Sequence, residues 1–198
     1  GTYTMFTPYL KGIHLTLNSW RPGRSADGWP LPGFERDLVA VAKDHLVPPT
    51  WVTAVPRLKS DLEALLELTS YDEPPDIPVC SSIRWATYVI GDASGTGFVT
   101  CIWTHGQSYV RVEFGRWTED VEREESSNFR EAGNLVIKVI RMVKVGQIKK
   151  GSEVFIFTDN KVMEQTYTKG SSKSPKLHDL IVILRKLEME GMLIIHFI

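Results

Sequence analysis

Apolar and polar positions change rhythm once along the chain, near residue 83. Before that point the clearest pattern is helical. In PRLKSDLEALLELTS, residues Leu58, Leu62, Leu65 and Leu66 fall on one face behind Pro56, which predicts a helix. A shorter helix is expected over Glu35–His45. The stretch YLKGIHLTLNSWRPGRSADGWPLPG sets Trp20 and Trp29 among Pro and Gly and reads as an irregular, aromatic-pinned segment; DEPPDIPVCSS reads as a linker. Ten of the eleven prolines lie in residues 1–82 and only Pro175 lies beyond, so a mostly irregular and helical segment, 1–82, is expected to precede a regular domain, 83–198.

In that domain, residues 84–91 (RWATYVIG), 97–104 (GFVTCIWT) and 107–115 (QSYVRVEFG) are rich in β-branched and aromatic residues. SGTG and HGQ separate them, which predicts an antiparallel three-strand meander. SSNFREAGNLVIKVIRMVKVG follows as a helix, with Phe129, Ala132, Val136, Val139, Ile140 and Val143 at helical spacing. Ser126 or Ser127 can cap it and Gly146 can end it. EVFIFTDN predicts a buried strand, KVMEQTYTKG and SPKLHDLIVILRKLEMEG two helices, and MLIIHFI a last strand. The order βββαβααβ mixes hairpin-joined and helix-joined strands, so an α/β fold with a mixed five-stranded sheet flanked by helices is expected.

Composition narrows the field only modestly. The chain has 198 residues and a net charge of -1, enough for one core plus an appendage and no general case for a polyanion partner. The charge is uneven, however. Residues 113–125 hold six acids and two bases, while residues 138–176 hold nine bases and three acids. Such blocks are either solvated faces or a groove for a polyanion. Cys80 and Cys101 form neither a disulfide framework nor a zinc pattern and are expected to stay reduced, which suits an intracellular setting, cytoplasmic or nuclear. No apolar run approaches the ~20 residues of a membrane span. The five histidines show no metal-ligand spacing, and Met142 and Met163 read as core filler. The chain starts without a methionine and reads as a piece of something longer.

Three acids stand out against this framework. Asp92 is expected at the end of the first strand, in TYVIGDASGTGF, and Asp159 at the end of the fourth, in FIFTDN. A right-handed crossover would set those strands side by side, and ligands of α/β sheets sit beyond the strand ends. Glu131 is expected in the first turn of the intervening helix, on the shoulder of its apolar face in line with Leu135 and Met142. Converging carboxylates repel unless a cation lies between them, and hard divalent ions take oxygen ligands. Each acid also has an ordinary reading: Asp92 as a turn residue, Asp159 with Asn160 as a helix cap, and Glu131 as a complement to the helix dipole.

The residues GDASGTGF after a strand, SSNFREAGNL opening a helix, and FIFTDNKV followed by YTKGSSKSPKLHDL together resemble the ribonuclease H domain of retroelement reverse transcriptases. The likeness covers residues 84–198 and is nearest to elements that also encode a tyrosine recombinase. It implies a ribonuclease H-like fold and cleavage of the RNA strand of RNA–DNA hybrids with two Mg²⁺ ions, or Mn²⁺. An adjoining polymerase domain would belong to the same polyprotein. Asp92, Glu131 and Asp159 would be the metal-binding acids. Ser94, Gly95, Asn128 and Asn160 would line the nucleic-acid groove, and Lys169 and Lys173 would grip its backbone from a loop beside the site. The family's fourth acid would fall past Ile198. Two rivals stay open: a ribonuclease H-like domain that only binds nucleic acid, and an actin-like phosphate-binding domain, for which no internal repeat is visible.

Overall fold

The structure, a computed structural model, describes residues 5–34, 47–72, 85–120 and 126–198. The expected Glu35–His45 helix and the linker after Asp72 lie outside the described residues. The chain divides into two compact units, Gly1–Pro74 and Pro75–Ile198.

In the first unit a 3-10 turn, Thr7–Leu10, leads into α1 (Lys11–Asn18), which packs on α2 (Arg57–Thr69). Leu15, Trp29 and Val55 form its small core with Leu58 against them. The predicted leucine face of α2 is only partly the buried one. Leu62 and Leu66 are 46% and 70% exposed, while Asp61 is buried. The reason is a polar contact: the Asp61 carboxylate accepts the Gly12 N–H at 2.7 Å and Arg57 Nε–H at 3.1 Å. A buried carboxylate must keep such donors, so the Asp61 side of the helix faces α1.

The second unit runs β1 (Ala86–Ala93), β2 (Gly97–Thr104), β3 (Arg111–Arg116), α3 (Ser127–Lys144), β4 (Glu153–Phe157), α4 (Lys161–Lys169), α5 (Pro175–Gly191) and β5 (Ile194–Phe197). The expected element order is present. The sheet order is β3-β2-β1-β4-β5, with β1–β2 and β2–β3 antiparallel and β1–β4 and β4–β5 parallel. Two strand limits differ from expectation. β1 continues to Ala93, so Asp92 lies inside the strand. β3 starts at Arg111, because Gly106 (φ +85°) opens a turn in which Gln107 N–H bonds Thr104 O.

One face of the sheet carries the core. Val89, Ile102, Val154, Ile156 and Ile195 meet Ala132, Leu135, Val136, Val139 and Met142 of α3 and Leu177, Ile181 and Leu184 of α5. Ser126 caps α3 by accepting the Phe129 N–H, and Gly146 (φ +72°) ends it, with Gln147 N–H returning to Met142 O. Alternation along the strands sends Tyr88, Trp103 and Phe155 to the opposite face. There Tyr88 stacks on Phe155 at 5.1 Å and Phe155 on His196 at 4.7 Å, and Phe114 is 82% exposed.

Two polar clusters brace this unit. Glu113 of β3 takes an ion pair from the buried Lys138 of α3 and another from Arg111 at 2.7 Å. The Lys138 hydrogen bond, ahead of the two cationic charges, holds the Glu113 carboxyl below its ordinary range. Behind the sheet, Tyr167 of α4 donates its hydroxyl to Glu188 of α5, which also pairs with Arg185 at 2.7 Å; all three are buried. Arg185 Nη2 donates to Tyr167 O at 2.8 Å, and its guanidinium lies 4.1 Å from the centre of the tyrosine ring.

Candidate active site

Register fixes the first two acids. Ile90 pairs with Phe157 across parallel β1 and β4. Asp92 and Asp159 each lie two residues further on, so they leave the same end of two strands spaced about 4.8 Å apart. Both are exposed. Glu131 sits half-buried on α3, which packs against β1.

The structure also tests the ordinary reading of each acid. The β1–β2 turn is held by Ser94: its N–H bonds Gly97 O at 2.8 Å, and its hydroxyl accepts the N–H groups of Thr96 and Gly97. Asp92 takes no part in that turn; its Oδ1 accepts only the adjacent Ala93 N–H, at 2.7 Å. The cap of α4 is Asn160, whose Oδ1 accepts the Met163 N–H at 3.0 Å, and Asp159 stands outside it. Glu131 is not in the first turn of α3, because Ser126 caps a helix that begins at Ser127. Its Oε1 accepts the Ser127 hydroxyl at 3.0 Å. The turn and the cap expected of the two aspartates fall to Ser94 and Asn160.

Two buried asparagines tie the three elements together. Asn134, one turn beyond Glu131, donates from Nδ2 to Val99 O at 3.2 Å and reaches Asp92 O at 3.5 Å; its Oδ1 accepts the Thr100 hydroxyl at 3.0 Å. Asn160, next to Asp159, donates from Nδ2 to Asn128 O at 3.1 Å, one turn before Glu131. The acid-bearing ends of β1 and β4 are thus bonded to α3 on either side of Glu131. Asn160 was expected in the groove or, with Asp159, as a helix cap; it is the cap, and its bond to α3 is additional. Asn134 escapes a reading of the sequence, because a polar residue on an apolar helix is assigned to solvent.

The remaining residues distribute less tightly. Ser94, Gly95 and Asn128 are exposed around this end, and a Cβ on Gly95 would meet nothing within 4 Å. An open cleft of about 560 Å³ runs beside Asp92, lined by Ser94, Thr96, Val99, Phe114 and Arg116. Lys169 is in the last turn of α4, nine residues and so about 13 Å along the helix from Asn160. The expected Lys169–Lys173 loop therefore lies at the far end of α4 from Asp159. Lys176, which the sequence did not single out, is nearer: its ammonium is 5.9 Å from the Phe129 ring at the start of α3.

The donor set suits a hard divalent cation, being carboxylate oxygen throughout on elements that meet at one sheet end. The side chains themselves are not gathered. Among the described residues no three His, Cys, Asp or Glu groups come close enough to hold a metal ion. Glu131 turns to Ser127 and Asp92 to its neighbouring amide. No helix among the described residues is long and apolar enough to cross a membrane.

No family model matches the chain, and no curated protein matches it. Solved structures do. The N-terminal RNase H domain of rv2228c from Mycobacterium tuberculosis, a fusion with maltose-binding protein, is 24% identical with a TM-score of 0.40, over 59% of this chain and 83% of that one. The RNase H1 of Halobacterium salinarum NRC-1 is 16% identical with a TM-score of 0.39, over 58% and 84%. The prototype foamy virus protease-reverse transcriptase is 11% identical with a TM-score of 0.39, over 96% of this chain and 24% of that one. At these scores the case for a function rests on the residues themselves. The fold of the second unit is α/β, with a mixed five-stranded sheet and flanking helices.

Proposed function

We propose that the second unit is a ribonuclease H-type hydrolase of a retroelement reverse transcriptase, cutting the RNA strand of RNA–DNA hybrids beside a polymerase domain of the same polyprotein. One observation carries the reading. Asp92, Glu131 and Asp159 sit on three elements bonded together at one sheet end, and the turn and helix cap beside the two aspartates are held by Ser94 and Asn160 instead. Asp92, Glu131 and Asp159 would supply oxygen ligands. Two Mg²⁺ ions bound there would activate the attacking water and stabilise the leaving oxygen of an in-line displacement. Ser94, Gly95 and Asn128 line the approach with a hydroxyl, an open backbone and an amide, groups that suit sugar and phosphate oxygens. Lys176, and more distantly Lys169 and Lys173, add the positive charge that a phosphate backbone requires.

The test is cleavage of an end-labelled RNA strand in an RNA–DNA hybrid. It would use this chain and a version extended past Ile198, to supply the fourth acid that the resemblance implies. Mg²⁺-dependent cutting that Asp92→Asn abolishes is the expected result. Cutting by Asp92→Asn at the parent rate refutes the reading. Salt-sensitive hybrid binding with no cleavage in either version would instead mark a domain that only grips the duplex.

A further inference from the structure

We propose that Asn134 is a positioning residue: it holds the turn of α3 that carries Glu131 against the Asp92 end of β1, and so sets the separation of two candidate metal ligands. This rests on the hydrolase reading above. Asn134 is 5% exposed, and both ends of its amide are in use. Nδ2 donates firmly to Val99 O at 3.2 Å and more distantly toward Asp92 O at 3.5 Å. Asp92 and Val99 face each other across the β1–β2 ladder, so one side chain spans both strands at the level of the acid. Residues three apart on a helix are surface neighbours, which puts Glu131 one turn from this anchor.

A second observation points the same way. A Cβ at Gly91, the residue before Asp92, would stand 2.8 Å from Leu135 Cδ2 and 3.1 Å from Asn134 Nδ2. The absent side chain at residue 91 leaves the space in which the tips of Leu135 and Asn134 sit. Burying an amide gives the core nothing that a leucine would not, and it costs free energy unless every bond is made. What the amide adds is direction: it accepts from one strand and donates to carbonyls of two. Asn160 does the same on the other flank through Asn128 O. The backbone that carries Glu131 is thereby tied to the acid-bearing ends of both strands.

The experiment is a Mn²⁺ titration of the whole chain, followed by the paramagnetic relaxation of water protons, with a thermal melt of each variant. The wild type is expected to bind Mn²⁺ and Asp92→Asn to lose that binding. Asn134→Leu should raise the half-saturating Mn²⁺ concentration about tenfold or more, the usual effect of losing a group that orients ligands. Gly91→Ala should do likewise by crowding Asn134 Nδ2 out of its bonding position, with every hydrogen-bonding group retained. Tyr167→Phe, in the remote buried cluster, should lower the melting temperature and leave half-saturation unchanged. The proposal is overturned if folded Asn134→Leu keeps the wild-type half-saturation, or if Tyr167→Phe shifts it as much. Should Asn134→Leu fail to fold, Gly91→Ala decides alone. A wild type with no Asp92-dependent Mn²⁺ binding overturns the hydrolase reading itself, a result distinct from binding that ignores residue 134.

Discussion

Arg185→Met isolates the energetics of the buried cluster that braces α4, α5 and β5. The substitution removes the 2.7 Å pair with Glu188, the 2.8 Å bond to Tyr167 O and the guanidinium stacked on the tyrosine ring. Glu188, 6% exposed, is left with the Tyr167 hydroxyl as its remaining donor. An uncompensated buried charge of this kind costs about 3–5 kcal/mol. For a unit the size of Pro75–Ile198 that is a fall in melting temperature of roughly 12–19 °C. Arg185→Met with Glu188→Leu removes the charge together with its partner, leaving a loss of about 0–2 kcal/mol, since such pairs exchange with apolar groups at little net cost. The assay is thermal and urea denaturation of the two variants and Glu188→Leu alone. Amide exchange within β5 would report on this unit separately from the first. A single-variant loss below about 1 kcal/mol, or a double variant no more stable than the single, would refute the reasoning.

Asp92→Asn and Asp159→Asn should each abolish Mg²⁺-dependent RNA-strand cleavage while changing stability by less than about 0.5 kcal/mol, because both are exposed and do no structural work; Asp120→Asn, in the acidic run, should leave cleavage intact. Burial first, and the Glu188 charge second, push the Tyr167 hydroxyl well above its ordinary value. A raised value stabilises the fold fully below about pH 10 and is lost as pH climbs beyond it, so alkaline melts of wild type and Tyr167→Phe should converge. Glu113 is held low by Lys138, so its contribution is present above about pH 4.5 and lost as pH falls; acid titration of Glu113→Gln should lack that step. Hybrid affinity should fall linearly in log–log with salt, and Lys176→Gln should flatten the slope by about one unit, as loss of one phosphate contact requires; an unchanged slope would remove Lys176 from the interface.

Element order and strand adjacency were legible because they follow from local rhythm. The change from period two to helical spacing marks β1 to β3 and α3, and the crossover rule places β4 beside β1. What escaped depends on partners distant in sequence. The leucine count on α2 misjudged its inner face because Asp61 meets an N–H 49 residues away. Asn134 was passed over because its partners, Val99 and Thr100, lie 35 and 34 residues back. The limits of β1 were misjudged for a local reason. A Gly-rich turn after an aspartate suggests that the aspartate makes the turn, whereas the serine two residues on is better placed to receive two amides. The same substitution of neighbour for acid recurs at Asn160 and Ser126.

That recurrence bears on how the three acids should be understood. A charged group can be placed by burial and hydrogen bonds, as Asp61, Glu113 and Glu188 are, and it is then part of the bonding that holds the fold. Asp92, Glu131 and Asp159 are placed differently: the backbone that carries them is bonded through Asn134 and Asn160, and the carboxylates keep only short local contacts. Separating position from charge in this way has a physical consequence. The turn beside Asp92 and the cap beside Asp159 hold without either carboxylate. On the proposed reading, a cation would bind carboxylates whose strands and helix are already tied together by amides rather than by the acids themselves. Had the acids themselves capped the turn and the helix, binding a metal would have required breaking those caps.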